Sequence, residues 1–206
     1  MKYTFFWGHD KKKTPDPEYS QWYLQDMTYF GMTFNCCEQW MMFHKAMLFG
    51  DYHSADLIMK AKTPDVHKAL GRKVTNFDED KWKQSIESIL MRGNYLKFTQ
   101  NEDSYQKLMD SKGSILVEAS IYDKIYGIGM ASNNPHATNP DRWNGLNKLG
   151  FALTDLRITC MKKHNEYESD DFLEEYQTIK NAIFSGQTIK KEIQKPKPRI
   201  RTPKFL

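Results

Sequence analysis

Between residues 35 and 51 the chain is apolar with a helical period, and Gly50 stands where such a helix should stop. Asn35 is expected to cap it. Glu38, Met41, Met42, Lys45 and Phe49 then share one face, at i, i+3, i+4, i+7 and i+11. The same period predicts a helix over 54–62, with Ala55, Leu57, Ile58 and Met59 on its apolar side, and a third that starts at Pro64 and ends at Arg72. Acids at Asp78, Glu79 and Asp80 open a fourth, whose apolar positions Ile86, Ile89 and Leu90 carry it to Gly93. A short helix over 103–109 stops at Gly113, the last core helix covers 149–163, and Phe172, Leu173, Tyr176, Ile179 and Ile183 mark one more amphipathic helix. Strand signals are fewer: residues 3–7, a tight hairpin turning at Gly31, and residues 114–120, the clearest of them. The expected fold is mainly α with a few short strands, a compact single domain over 1–161. A helical extension over 162–186 and a basic, proline-containing tail over 187–206 follow it.

Composition sharpens this picture in two places. With 206 residues, 39% of them hydrophobic and 14% aromatic, the chain suits one folded domain with aromatic-lined pockets. The formal charge of +4 is unevenly placed: beyond Gln187, seven Lys and Arg oppose only Glu192, so the tail carries +6 and the body −2. Nucleic acid is therefore a partner only through the tail, where Pro196, Pro198 and Pro203 discourage helix. No apolar run approaches the roughly 18 residues that span a bilayer, and the start lacks a signal-peptide core. No membrane contact and a cytoplasmic location are expected. Cys36, Cys37 and Cys160 cannot all pair, and they read as small buried residues.

Candidate chemistry begins at the 35–51 helix. At about 1.5 Å rise per residue, the Cα atoms of Glu38 and Lys45 lie about 10 Å apart, a gap that a pentose fills. A charged pair on a Met-rich helix is more often a solvated edge. Here both charges have bulky apolar neighbours, so each needs a partner or a ligand. The 114–120 strand delivers Glu118 and Ser120, then Asp123, at its carboxyl end. No Cys-x-x-Cys or His-Glu-x-x-His occurs, and the histidines are scattered, so no metal site is expected. Gly127-Ile128-Gly129 lacks the third glycine of a dinucleotide loop. What remains is carboxylates and amides among aromatics: Glu38, Glu118, Asp123, Asn101, Asn144 and Asn147 with Phe6, Trp7, Trp82 and Trp143. That set suits a glycosidic bond, whose cationic oxocarbenium-like state needs negative charge and whose leaving group needs an acid.

The ordered blocks Phe5-Phe6-Trp7-Gly8, Ser20-Gln21-Trp22-Tyr23, Cys37-Glu38-Gln39-Trp40-Met41-Met42 with Lys45, Leu70-Gly71-Arg72, Asn76-Phe77-Asp78 with Trp82, Leu96 to Asn101, Leu116-Val117-Glu118-Ala119-Ser120 with Asp123, Gly127-Ile128-Gly129 and Trp143 to Gly150 resemble the YbiA-like NADAR family, named for NAD and ADP-ribose. The resemblance covers about residues 5–157. It implies a compact, mainly helical domain and metal-free N-glycosidase activity that needs no cofactor. Family members cleave ribosylamino-pyrimidine intermediates of riboflavin synthesis, and some relatives remove ADP-ribose from guanine in nucleic acid. The implied substrate is thus a phosphorylated ribosyl-base or an ADP-ribosylated guanine. By motif, Glu38, Trp82 and Asp123 match residues implicated in catalysis, and Lys45 joins them from its shared face with Glu38. Phe6, Gly8, Arg72, Asn101, Glu118, Ser120, Tyr126, Trp143 and Asn144 are the substrate-binding candidates. Tyr126 stands where the family usually has tryptophan. A non-catalytic ADP-ribose-binding module is the competing class; it needs the aromatics and the arginine but not Glu38.

Overall fold

The computed structural model describes residues 1–12, 14 and 16–187, so the basic tail lies, but for Gln187, outside the described residues. Among the described residues, seven α-helices and four short strands form, in the order β1 (Lys2–Phe6), β2 (Met27–Tyr29), β3 (Met32–Phe34), α1 (Cys37–Leu48), α2 (Tyr52–Lys60), α3 (Pro64–Gly71), α4 (Glu79–Thr99), α5 (Glu102–Asp110), β4 (Ser114–Glu118), α6 (Lys148–Lys163) and α7 (Asp170–Ser185). The chain is mainly helical, with strands confined to two pairs among the described residues. β2 and β3 form an antiparallel hairpin whose turn residues Phe30 and Gly31 both take positive φ, the geometry that matches strand twist.

The other pair positions the site. β1 runs parallel to β4 in a register that sets Phe6 beside Glu118, so both strands discharge at the same end. Because side chains alternate across a strand, Leu116 faces one cluster with Phe6, Tyr19, Leu149 and Leu153, while Ile115 and Val117 face another with Ile128, Phe151, Phe172 and Tyr176. α6 covers the pair, and Thr154 Oγ1 on α6 accepts from the Leu116 amide at 3.1 Å. Residues of the helical extension enter this core: the buried Arg157 guanidinium pairs with Glu168 at 2.8 Å and also donates to the Ser111 and Ser114 carbonyls.

α1 packs against α2, α3 and α4 through a third cluster built on Trp40, Phe34, Phe43 and Ile58. Its cap is Cys36, not Asn35: the Cys36 Sγ accepts from the Gln39 amide. Asn35 instead donates its side-chain amide to the Lys62 carbonyl and pairs with His67 Nε2. A second correction concerns Gly93, which does not end a helix. α4 runs through it to Thr99, and the glycine is there because a Cβ would sit 2.5 Å from Cδ1 of Trp40. Trp40 locks this crossing by donating its indole N–H to the Ile89 carbonyl at 2.8 Å.

Candidate active site

A cavity of about 840 Å³ opens where α1, α3 and the carboxyl ends of β1 and β4 meet. From α1 come Glu38, Met41, Met42 and Lys45, successive members of one helical face. Phe49, the fifth residue of that face, caps the helix and is buried in the α1–α2–α4 core instead. From the strand ends come Trp7, Gly8, Glu118 and Ser120, followed by Asp123 and Tyr126; from α3 and its C-terminal cap come Lys68 and Arg72; and Trp82, in the first turn of α4, closes one side.

Of the four acids that line the cavity, Asp10, Glu38, Glu118 and Asp123, the last three act on one another. Glu38 is only 4% exposed. Its Oε2 accepts from the indole N–H of Trp22 at 3.1 Å, and its backbone N–H donates to the Gln21 carbonyl at 2.9 Å. Burial pushes the Glu38 carboxyl up; Lys68, the Trp22 bond and Arg72 pull it back, and Asp123 adds to the rise. Glu118 is held by its backbone, its N–H donating to Asn147 Oδ1 at 3.0 Å and its carbonyl accepting from Ile128 at 2.9 Å. Its carboxyl is pushed up to about 8 by burial first, then by Asp123 and Glu38, against Lys68. Asp123 Oδ1 accepts from the amides of Ile125 and Tyr126 at 2.8 and 2.7 Å, which fixes the carboxylate at the cavity wall. Gly127 makes this bend attainable: a Cβ there would meet the carbonyl oxygens of Glu118 at 2.8 Å and Asp123 at 2.9 Å. The Gly127-x-Gly129 pair therefore serves close backbone packing.

Cations face these acids. Lys45 donates to the Gly71 carbonyl at 2.9 Å, and its Nζ lies 4.4 Å from the Phe77 ring centre and 5.7 Å from that of Trp82. Burial lowers its amine pKa. Lys68 stands 5.5 Å over the Trp22 ring, itself packed against His9. Lys68 on α3 and Arg72 at its C-terminal cap are four residues apart and bring two cations to the cavity. Among the described residues, no group of three His, Cys, Asp or Glu is placed to hold a metal ion.

The structure brings together Glu38, Lys45, Trp82, Asp123, Gly8, Arg72, Glu118, Ser120 and Tyr126. It places four other candidates elsewhere. Phe6 is a core residue, 5.3 Å from the Tyr19 ring, because strand alternation turns it inward and leaves Trp7 at the cavity. Asn101 ties α5 to the chain before β2, donating to the Lys97 and Asp26 carbonyls. Trp143 packs edge-on to Tyr3 and donates to the Ala137 carbonyl at 2.8 Å. Asn144 lies against Gly129 and bonds the Ile128 carbonyl through its amide N–H. Conversely, Trp22, Lys68 and Asn147 carry roles that the residue pattern did not assign. The only signal for Lys68 was its spacing to Arg72. The buried thiols of Cys36 and Cys37 are pushed up to about 12 and about 11 by desolvation, the state of inert packing residues.

A sequence model of the NADAR domain matches residues 5–161. An N-glycosidase of Acanthamoeba polyphaga mimivirus is 37% identical over 161 residues, spanning 76% of this chain and 95% of that protein. Protein irg-1 of Caenorhabditis elegans is 38% identical over 128 residues, which is 61% of this chain and 60% of the nematode protein. The NMR structure of the E. coli protein YbiA superposes with a TM-score of 0.64 at 20% identity, covering 82% of this chain and 92% of that one, a likeness of fold. With its family match spanning both strand ends, α1, α3 and α4, the chain belongs to the NADAR domain family.

Proposed function

We propose that this protein hydrolyses the N-glycosidic bond between a ribose and a base or amino-pyrimidine, the ribose bearing a phosphate or belonging to ADP-ribose. The observation that carries the reading is the convergence of Glu38, Glu118 and Asp123 with Lys45, Lys68 and Arg72 in one cavity of a size that encloses a nucleotide. Cleaving the C1′–N bond generates positive charge on the sugar, and buried carboxylates stabilise such charge better than water does. Glu38 and Asp123 divide two tasks: one faces the developing oxocarbenium, the other takes the proton of the attacking water. Lys68 and Arg72 pair with the phosphate, and the Trp82 indole is a stacking surface for the base. The mimivirus relative, named an N-glycosidase and matched over nearly its whole length, supports the same reaction class.

A binding module for ADP-ribose is the less economical reading, because it needs the aromatics and the arginine but gives no role to the carboxyls of Glu38, Glu118 and Asp123. Hydrolysis is tested in water enriched in oxygen-18, with a ribosylamino-pyrimidine phosphate and ADP-ribosyl-guanosine supplied in parallel. The expected result is release of the free base and one labelled oxygen on the sugar from at least one of the two. Tight binding without release of base from either would replace the enzyme with the module.

A further inference from the structure

The reading above leaves one step unassigned: the departing base needs a proton, since an unprotonated base leaves as an anion. The three carboxyls differ in what surrounds them. Glu38 Oε2 accepts from the Trp22 indole, and Asp123 Oδ1 accepts from two backbone amides, so both are placed as acceptors. Glu118 is pinned at the cavity by its backbone bonds to Asn147 and Ile128. Its Oε2, however, is shut off from solvent and has no hydrogen-bond partner among the described residues. An ionised oxygen there lacks any donor, whereas a carboxylic acid brings its own hydrogen and needs only an acceptor. The substrate supplies one.

We propose that Glu118 is the general acid of the reaction. Its O–H proton passes to a ring nitrogen or carbonyl oxygen of the base as the C1′–N bond breaks, and the bonding pair stays on the base nitrogen. Water then adds to C1′ and gives its proton to Glu38 or Asp123. That proton exchanges with solvent, from which Glu118 is reprotonated, so charge and atoms balance over the cycle. The groups facing Glu118 are Asp123 and Tyr126 from the following loop, Glu38 from α1 and Lys68 from α3. Burial, Asp123 and Glu38 outweigh Lys68, and the carboxyl holds its proton to about pH 8.

The inference rests on the N-glycosidase reading, and Glu118→Gln separates the two. It is assayed on a ribosylamino-pyrimidine phosphate, whose base needs a proton to depart, and on nicotinamide mononucleotide, whose nicotinamide leaves neutral without one. The variant should lose about 10²- to 10⁴-fold in kcat on the first, with the wild type's fall in rate above pH 8 absent from its profile, and change less than about fivefold on the second. Lys45, whose amine pKa burial lowers, would impose an alkaline fall on both substrates alike. Equal effects of the substitution on the two substrates, or no effect, would overturn the role of Glu118 and leave the hydrolase standing. A wild type inactive on both and on ADP-ribosyl-guanosine would overturn both claims; one active on ADP-ribosyl-guanosine is assayed with that substrate in place of the first. Should the variant not fold, the wild type's two pH profiles decide: an alkaline fall with the pyrimidine substrate alone supports the acid, and matching profiles refute it.

Discussion

A buried carboxyl that keeps its proton to about pH 8 must show itself in stability before any substrate is added. Replacing Glu118 by Gln preserves the shape of the neutral acid and removes its ability to ionise. In the unfolded chain Glu118 titrates near 4.5; in the folded protein it does so near 8. The folded pKa is raised, so the neutral acid's contribution is fully present below pH 4.5 and is lost as pH climbs through 8. At 1.36 kcal/mol per pH unit, the difference between 4.5 and about 8 corresponds to about 5 kcal/mol above pH 8, and to about 3 kcal/mol at pH 7. The cavity is open to water, which relaxes around the charge, so a measured difference of about 2–4 kcal/mol above pH 8 is expected. Urea unfolding of wild type and Glu118→Gln at pH 4, 5, 7 and 9 reads it, with equal m-values as the check that both unfold alike. The two should be close at pH 4, diverge in favour of the glutamine variant up to pH 8, and run parallel beyond. Curves that stay parallel from pH 4 to 9 would refute the reasoning, because Glu118 would then ionise alike in both states.

Other perturbations reach different parts of the account. Gly93→Ala gains up to about 1 kcal/mol of helix propensity, yet its methyl would stand 2.5 Å from the Trp40 ring; a net loss of about 1–2 kcal/mol in denaturant unfolding is expected, and a gain would mean that α1 and α4 do not cross this closely. Lys45 shares the Glu38 face with a lowered amine pKa, so if it forms a Schiff base with the ring-opened ribose, borohydride added during turnover should trap a sugar on Lys45 by mass spectrometry; an unmodified Lys45 after complete turnover assigns it to charge alone. Deleting the residues after Gly186 removes +6 of charge and should weaken DNA or RNA binding and flatten its salt dependence while turnover of a free nucleotide is unchanged; equal affinity at low salt with and without the segment would end its proposed role in recruitment.

Much of the fold was legible because local signals and burial agree. The β4 run Ser114–Glu118 is apolar on both faces in the sequence and is buried on both faces in the structure, between the clusters of α6 and α7. The α1 face was readable for the same reason: helical spacing alone brings Glu38, Met41, Met42 and Lys45 to one wall. The failures have physical causes. Gly93 looked like a stop because a sequence does not reveal that Trp40 approaches the backbone there. Asn101 and Asn144 looked like ligand groups, but the Asn101 side-chain amide satisfies backbone carbonyls, Asn144 packs against Gly129 and bonds Ile128 through its backbone N–H, and both lie outside the cavity. Phe6 and Trp7 are adjacent, and only strand pairing decides which of them turns to the core. Trp22 and Lys68 come to Glu38 from segments 16 and 30 residues away, so no spacing rule could couple them. That Glu118 Oε2 lacks a donor among the described residues is a property of the assembled site.

The central claim is that this cavity breaks N-ribosyl bonds with Glu38 at its centre. The most direct measurement is chromatographic release of base from a ribosylamino-pyrimidine phosphate and from ADP-ribosyl-guanosine by purified wild type and Glu38→Gln, with circular dichroism confirming that both are folded. The account predicts multiple turnovers by the wild type on at least one substrate and a loss of at least about 10²-fold in the folded variant. Undiminished release by Glu38→Gln, or none from either substrate by the wild type, would contradict it.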